Sequence, residues 1–306
     1  MFSYADVDEI LVKNNSAYGV RMSDGSEILA DKVISNAGFM NTIEKLLPEE
    51  SQKRHKVSTW TKNLHRSSAH LCIYAGFKGT AEELGLNSTN LWMYPDGDHE
   101  GNLAKYNSDP EAEFPLVYIS FPSSKDPDWE NRFPGKSTVE IVTPAKMDWF
   151  KQWEGTQWQQ RGEDYDAFKE RLSQRLLEKL FERHPQLRDK LDYFELSTPL
   201  STNWYQKTSG GEMLALDHFV ERFKQSCLHP QTPVKNLYMT GSDVMTAGVG
   251  GALMGGVMST MSLLGLKKGK DVMALFKNYQ EPKAESEGQP EPEVKKEESA
   301  AQKACA

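Results

Sequence analysis

The chain has 306 residues, with 36 Lys and Arg against 44 Asp and Glu, and so a formal charge of −8. That length accommodates about two domains, and 38% hydrophobic with 26% charged residues is the composition of a globular chain, which excludes a wholly disordered one. The acidic balance also excludes the basic face that general nucleic-acid binding requires, while Cys72, Cys227 and Cys305, odd in number and far apart, imply neither a disulfide framework nor a CxxC site.

The first ten residues are acidic and lack an apolar core, so no cleavable signal is expected. Residues 7–12 read as a strand, Asn14-Asn15-Ser16 as a turn, 17–22 as a second strand, Ser23-Asp24-Gly25 as a turn, and 27–35 as a third strand. Together they predict a β-meander closed by Asn36-Ala37-Gly38, where glycine lets the backbone approach a ligand. Further strands are expected at 69–77, 90–94, 116–121, 138–143 and 191–196, the last running on into Thr198-Pro199-Leu200. Between the last two, residues 164–183 set Tyr165, Phe168, Leu172, Leu176, Leu180 and Phe181 three or four apart, which predicts an amphipathic helix ended by Pro185. Strands followed by such a helix describe an α+β unit.

Residues 237–240 look like a buried strand entering a tight turn at Gly241. From 244 to 266 no residue is charged and six of the 23 are glycine. A helix of that length would reach about 34 Å, enough for a bilayer core. Five of the glycines, however, crowd between Gly248 and Gly256, each costing about 1 kcal/mol in a helix relative to Ala, which argues against a spanning helix. Gly248-Val249-Gly250 begins like a dinucleotide fingerprint, but Leu253 stands where the third glycine should fall and no strand follows. Two readings stay open: a glycine-lined helix start against a flat cofactor, with Asp243 as acceptor, or glycines that only permit close packing. Residues 281–306, with seven Glu, four Lys and three Pro, predict a disordered acidic tail.

Thr240-Gly241-Ser242-Asp243, followed by Gly248-Val249-Gly250-Gly251-Ala252-Leu253-Met254-Gly255-Gly256, resembles the C-terminal FAD signature of the phytoene desaturase and carotenoid isomerase class of flavoproteins. Phe121-Pro122-Ser123-Ser124-Lys125-Asp126-Pro127, Arg132-Phe133-Pro134-Gly135, Thr198-Pro199-Leu200-Ser201 and Asp217-His218 are similar to segments of its retinol saturase branch. Val7, Gly19-Val20, Asp24-Gly25 and Ser35-Asn36-Ala37-Gly38 resemble the family's second FAD-domain segment. The likeness runs from about residue 5 to about residue 276. The family opens with a Gly-rich βαβ unit that this sequence does not contain. The resemblance therefore implies a mixed α+β and α/β architecture: an incomplete, Rossmann-like FAD-binding domain with an inserted substrate domain. Residues 1–50 would form part of the FAD domain, 51–230 the substrate-binding domain, 231–280 the C-terminal FAD segment and 281–306 the tail.

The roles the resemblance implies are specific. Val7 would meet the adenine through its backbone, Gly241 and Asp243 would follow the ribityl-phosphate, and Gly250, Gly251, Ala252 and Leu253 would offer N–H groups to the flavin pyrimidine edge. Thr198, Tyr205 and His218 would line the substrate site, with Tyr205 and His218 as the candidate proton donors. The implied activity is reduction of one carbon–carbon double bond of all-trans-retinol to 13,14-dihydroretinol by hydride from FAD, with NAD(P)H as reductant. The implied substrate is a retinoid or carotenoid, and the setting a peripheral association with the endoplasmic reticulum membrane. A carotenoid desaturase or isomerase, or a truncated non-enzymatic remnant without FAD, are the alternatives on the same fold. His65 and His70 are five apart and share no helix face, so no metal site is expected.

Overall fold

The structure, a computed structural model, describes residues 2–278. Strands β1 (Val7–Lys13), β2 (Ser16–Met22) and β3 (Glu27–Leu29) form the expected antiparallel meander. Asn14 and Asn15 take φ of 50° and 60°, the left-handed pair that a two-residue hairpin turn demands. The third expected strand, however, is two. Ala30 N–H donates to the Tyr18 carbonyl and ends the meander. After the polar pair Asp31-Lys32 the chain resumes as β4 (Val33–Ser35) in a different sheet.

The middle of the chain forms a five-stranded antiparallel sheet from β5 (Ala69–Lys78), β6 (Leu91–Met93), β7 (Val117–Ser120), β8 (Lys136–Ala145) and β9 (Leu191–Ser197), in the order β6-β7-β8-β5-β9. Along β8 every second residue from Ser137 to Ala145 is buried, the period of two that a half-buried strand requires. Helix Glu163–Arg183 buries Phe168, Leu172, Leu176 and Leu180 with Leu71, Ile73, Val139 and Ile141 of the sheet in one core. Helices Glu49–His55, His99–Ser108 and Pro199–Gln206 were not expected. The last replaces the strand run at Thr198-Pro199-Leu200: Thr198 is its N-cap, Pro199 its first residue, and Thr198 with Ser201 closes a capping box.

Strand β10 (Leu237–Met239) pairs with β4 in parallel, Val33 opposite Leu237 and Ser35 opposite Met239. A second core gathers around this pair from both ends of the chain: Ile10, Phe39, Ile43, Leu64, Leu216 and Met239 are among its members. After β10 a short turn, Ser242–Val244, leads to helix Gly248–Asn278, whose backbone breaks at Gly265 with φ 75°. Ser259 Oγ donates to the Met239 carbonyl at 2.7 Å and fastens the helix to β10. Among the described residues, the stretch Gly248–Gly265 is long and apolar enough to cross a membrane by length and composition, and only 17% of it is buried. The expected tail, 281–306, lies outside the described residues.

Candidate functional site

Because β4 and β10 run in parallel, their carboxyl ends deliver Asn36-Ala37-Gly38 and Gly241-Ser242-Asp243 to the same edge. Ligand crevices form at such edges in open α/β sheets. A cavity of about 630 Å³ opens there, walled also by the segment Met213–Leu216 and the start of helix Gly248–Asn278. Gly241 sits at φ 89°, and a Cβ on it would lie 2.0 Å from Asn36 Oδ1. Glycine is required here for the two turns to meet.

Directional polar ties hold the walls. Buried Asp243 accepts from Phe39 N–H through Oδ2 at 2.7 Å and from Leu216 N–H through Oδ1 at 3.1 Å. Arg222, 2% exposed, donates through Nη1 to the Leu216 carbonyl at 2.6 Å and through Nη2 to the Ser242 carbonyl at 2.9 Å. Burial pushes the Arg222 guanidinium below its usual range, against the opposing pull of Asp243 and Asp217. Arg66 lies in the wall, bonded at 2.8 Å to buried Glu212 and 3.5 Å from Glu44. Asn41, 6% exposed, donates through Nδ2 to the Ala37 and Gln206 carbonyls at 3.0 and 3.3 Å, while its Oδ1 has no partner.

The residues singled out in the sequence divide. Gly241, Asp243 and Ala252 stand at the cavity or in its frame. Asp243 is less free than expected, since each carboxylate oxygen already holds a backbone N–H. Gly250 is exposed with open space around it, and Leu253 is 63% exposed; neither lines the cavity. At Gly251 a Cβ would stand 1.9 Å from the Thr246 carbonyl oxygen, so the space beside it is filled by the chain itself. Val7 begins β1 opposite Met22, away from the cavity walls.

The substrate candidates fare differently. Thr198 is fully buried as a helix cap, with Oγ1 2.8 Å from Tyr165 Oη, and does not line the cavity. Tyr205 is 67% exposed, edge-on to Trp158, and does not line the cavity. His218 Nε2 accepts from Ala247 N–H at 2.8 Å, and its Nδ1 lies 3.3 Å from Arg222 Nη1. In that arrangement Nε2 carries no proton, and the ring fastens the helix start instead of serving as a donor. Asn41, Arg66, Glu212 and Arg222 were missed: each is a single polar residue in a stretch without periodicity, and its burial depends on partners far away in sequence. Among the described residues no group of three His, Cys, Asp or Glu could hold a metal ion.

No protein-family model matches the chain. Curated proteins do: an all-trans-retinol 13,14-reductase of Danio rerio is 34% identical over 287 residues, covering 90% of this chain and 47% of the relative. The resemblance is to the all-trans-retinol 13,14-reductases. A second Danio rerio protein, named as an inactive all-trans-retinol 13,14-reductase, is 35% identical over 271 residues, 85% of this chain and 44% of its own length. Prolycopene isomerase 1 of an Oncidium hybrid cultivar is 26% identical over 274 residues, 88% of this chain and 43% of the isomerase, which extends the likeness to the carotenoid isomerase class. The chain thus spans about half the length of the curated relatives it matches. Among solved structures, reduced UDP-galactopyranose mutase aligns with a TM-score of 0.49 at 12% identity, over 89% of this chain and 50% of that one.

Proposed function

We propose that this chain supplies cavity walls of an FAD-dependent oxidoreductase that reduces one carbon–carbon double bond of all-trans-retinol to 13,14-dihydroretinol. The observation that carries the reading is a coincidence of place: the segments resembling FAD signatures, Ser35–Gly38 and Thr240–Ala252, converge on one cavity at the ends of β4 and β10. The residues present fit a flat ring system. At about 630 Å³ the cavity lies within the roughly 300–1,000 Å³ of small-molecule sites. Gly248, at φ 86° with nothing near its missing Cβ, leaves bare backbone on the wall.

Bound flavin would supply hydride, with NAD(P)H the reductant class that restores it. This chain's own residues bind and shape. Leu214, Leu216, Val249 and Ala252 give the cavity apolar walls for a polyene, and Asp243 with Arg222 keeps those walls in register. Thr198 and His218 are engaged in structural hydrogen bonds and Tyr205 lies outside the cavity lining, so none of the three is assigned as proton donor. We place the FAD part in the two ends of the chain and the substrate part between them. Its inner boundaries fall near Arg66 and Glu212, because Val57, Leu64 and Leu216 belong to the core around β10. The uncovered apolar face of Gly248–Gly265 fits peripheral contact with a membrane such as the endoplasmic reticulum.

One observation favours a second reading. The similarity to the relative named inactive is as high as that to the reductase, which supports a non-enzymatic role. Anaerobic incubation of the FAD-loaded, pre-reduced 306-residue chain with all-trans-retinol, followed by chromatography, separates them. Dihydroretinol is the expected product. Conversion of prolycopene with retinol untouched would favour the isomerase class, and bound flavin with no turnover of either would favour the inactive reading.

A further inference from the structure

We infer that His218 is a positioning residue whose neutral ring holds the helix side of this cavity in place, so that acid loosens the site. The inference deepens the flavin-and-retinoid reading above and rests on it. The ring bridges two parts of the cavity frame. Its own segment follows directly from Leu216, a lining residue, and its Nε2 accepts the Ala247 N–H at 2.8 Å. Ala247 immediately precedes Gly248 and Val249, which line the cavity together with Ala252, one turn further along the helix. Among the described residues, this is the one hydrogen bond from a side chain to the backbone of residues 245–252. The start of the helix therefore has no second tether of this kind if the ring lets go.

A proton inventory fixes the charge that the ring must carry. Accepting the Ala247 N–H requires a lone pair on Nε2, so the single proton of the neutral ring is on Nδ1. Nδ1 lies 3.3 Å from Nη1 of Arg222, a guanidinium that can only donate. An imidazolium would set Nε2–H against Ala247 N–H and place a second positive charge beside Arg222. Arg222 is tied in place, 2% exposed and bonded to the Leu216 and Ser242 carbonyls. Two carboxylates stand on the same side. Asp217, whose Oδ1 accepts the backbone N–H of His218 at 2.8 Å, favours the charged ring, while Asp243 has both oxygens on the Phe39 and Leu216 N–H groups. The helix offers no counter-charge, since no residue from 244 to 266 is charged, and the Phe223 ring stands edge-on 6.0 Å away. His218 is exposed, so a proton reaches it from solvent. Protonation thus trades the bond to Ala247 for solvent and Asp217, and frees the start of the helix.

Hydrogen–deuterium exchange and riboflavin titration of the 306-residue chain test this at about pH 7.5 and about pH 5.5, on either side of the ordinary imidazole range. Exchange in peptides spanning 245–251, corrected for intrinsic rate and referred to peptides of β8, should speed up at least about threefold at the lower pH. Riboflavin should bind at least about threefold more weakly there. His218→Gln keeps an acceptor near the position of Nε2 and takes up no proton, so both responses should shrink to less than about 1.5-fold. His218→Ala should exchange fast at both pH values, and thermal melts check that each variant is folded. Equal exchange at the two pH values in the wild type, or an acid response that persists in His218→Gln, overturns the inference. So does a riboflavin affinity that ignores pH while exchange responds. Acid-speeded exchange that His218→Gln abolishes, with no riboflavin bound at either pH, upholds the role of His218 and overturns the flavin reading of the site.

Discussion

In the sheet of β5 to β9, Leu71, Ile73, Val139, Ile141, Leu172 and Leu176 are wholly buried, and their neighbours in the core are mostly apolar. Around the cavity, a carboxylate and a guanidinium bind backbone from segments as distant as Phe39 and Asp243, and an ion pair joins Arg66 to Glu212. The first region is stabilised by area removed from water, which is additive and non-directional. The second depends on a few directional bonds, each with no substitute nearby. The difference teaches where function can sit. A core closed by packing leaves a ligand no room, even beside an unpartnered polar atom such as Tyr106 Oη, whereas a frame of polar ties can enclose space.

Five substitutions and a change of pH can break or sharpen this contrast. Phe150→Ala should cost the sheet region most, about 3–5 kcal/mol of unfolding free energy, because Phe150 is fully buried against Phe168 and Trp153. Urea unfolding measures the loss, and flavin affinity of the folded protein should not change; a parallel loss of affinity would show that the regions are not separable. Asp243→Ala should cost about 1.5–3 kcal/mol by orphaning Phe39 and Leu216 N–H groups. Here flavin titration should fall with stability, roughly ten- to a hundredfold.

Two glycines next to each other should respond with opposite signs. Gly255→Ala should destabilise by roughly 1–3 kcal/mol, since its Cβ would stand 2.1 Å from the Gly241 carbonyl oxygen. Gly256→Ala, with nothing within 4 Å, should stabilise by up to about 1 kcal/mol through helix propensity. Differential scanning fluorimetry checks both, and equal shifts would contradict the packing role of Gly255.

The smallest effect is on pH dependence. Burial pulls the imidazoles of His70, His184 and His55 below the ordinary 6.5. As pH falls through 6.5 the unfolded chain takes up these protons first, so stability should decline on acidification until the folded-state values are passed. Unfolding at pH 7.5 and 5.5 should show the decline, and His70→Gln should make it shallower. A slope unchanged by that substitution would remove His70 from the account.

Legibility in the sequence follows the same division. Strand β8 and helix Glu163–Arg183 were readable because their partners lie in the same stretch and their periods are 2 and 3.6. Residues 27–35 were misread as one strand because what divides them is the pairing of Val33 with Leu237, two hundred residues away. Thr198-Pro199 carried a helix-start signature that could have been read and was not. For the glycine-rich segment the letters are identical and the reasons are not. Gly241, Gly251 and Gly255 make room for neighbouring chain, and Gly248 leaves open backbone on the cavity. Arg222 and Asn41 carry no local signal, because a polar residue's burial is set by who surrounds it.

The central claim, that the space between Gly38, Asp243 and Ala252 receives a flavin ring, is tested most directly by filling it. Riboflavin titrated into the wild-type chain and into Ala252→Phe should bind the first and lose at least about tenfold in affinity for the second. Melting temperatures should be equal, because Ala252 faces the cavity and is only half-buried. Equal riboflavin affinity in the two proteins, with both folded, would contradict the account.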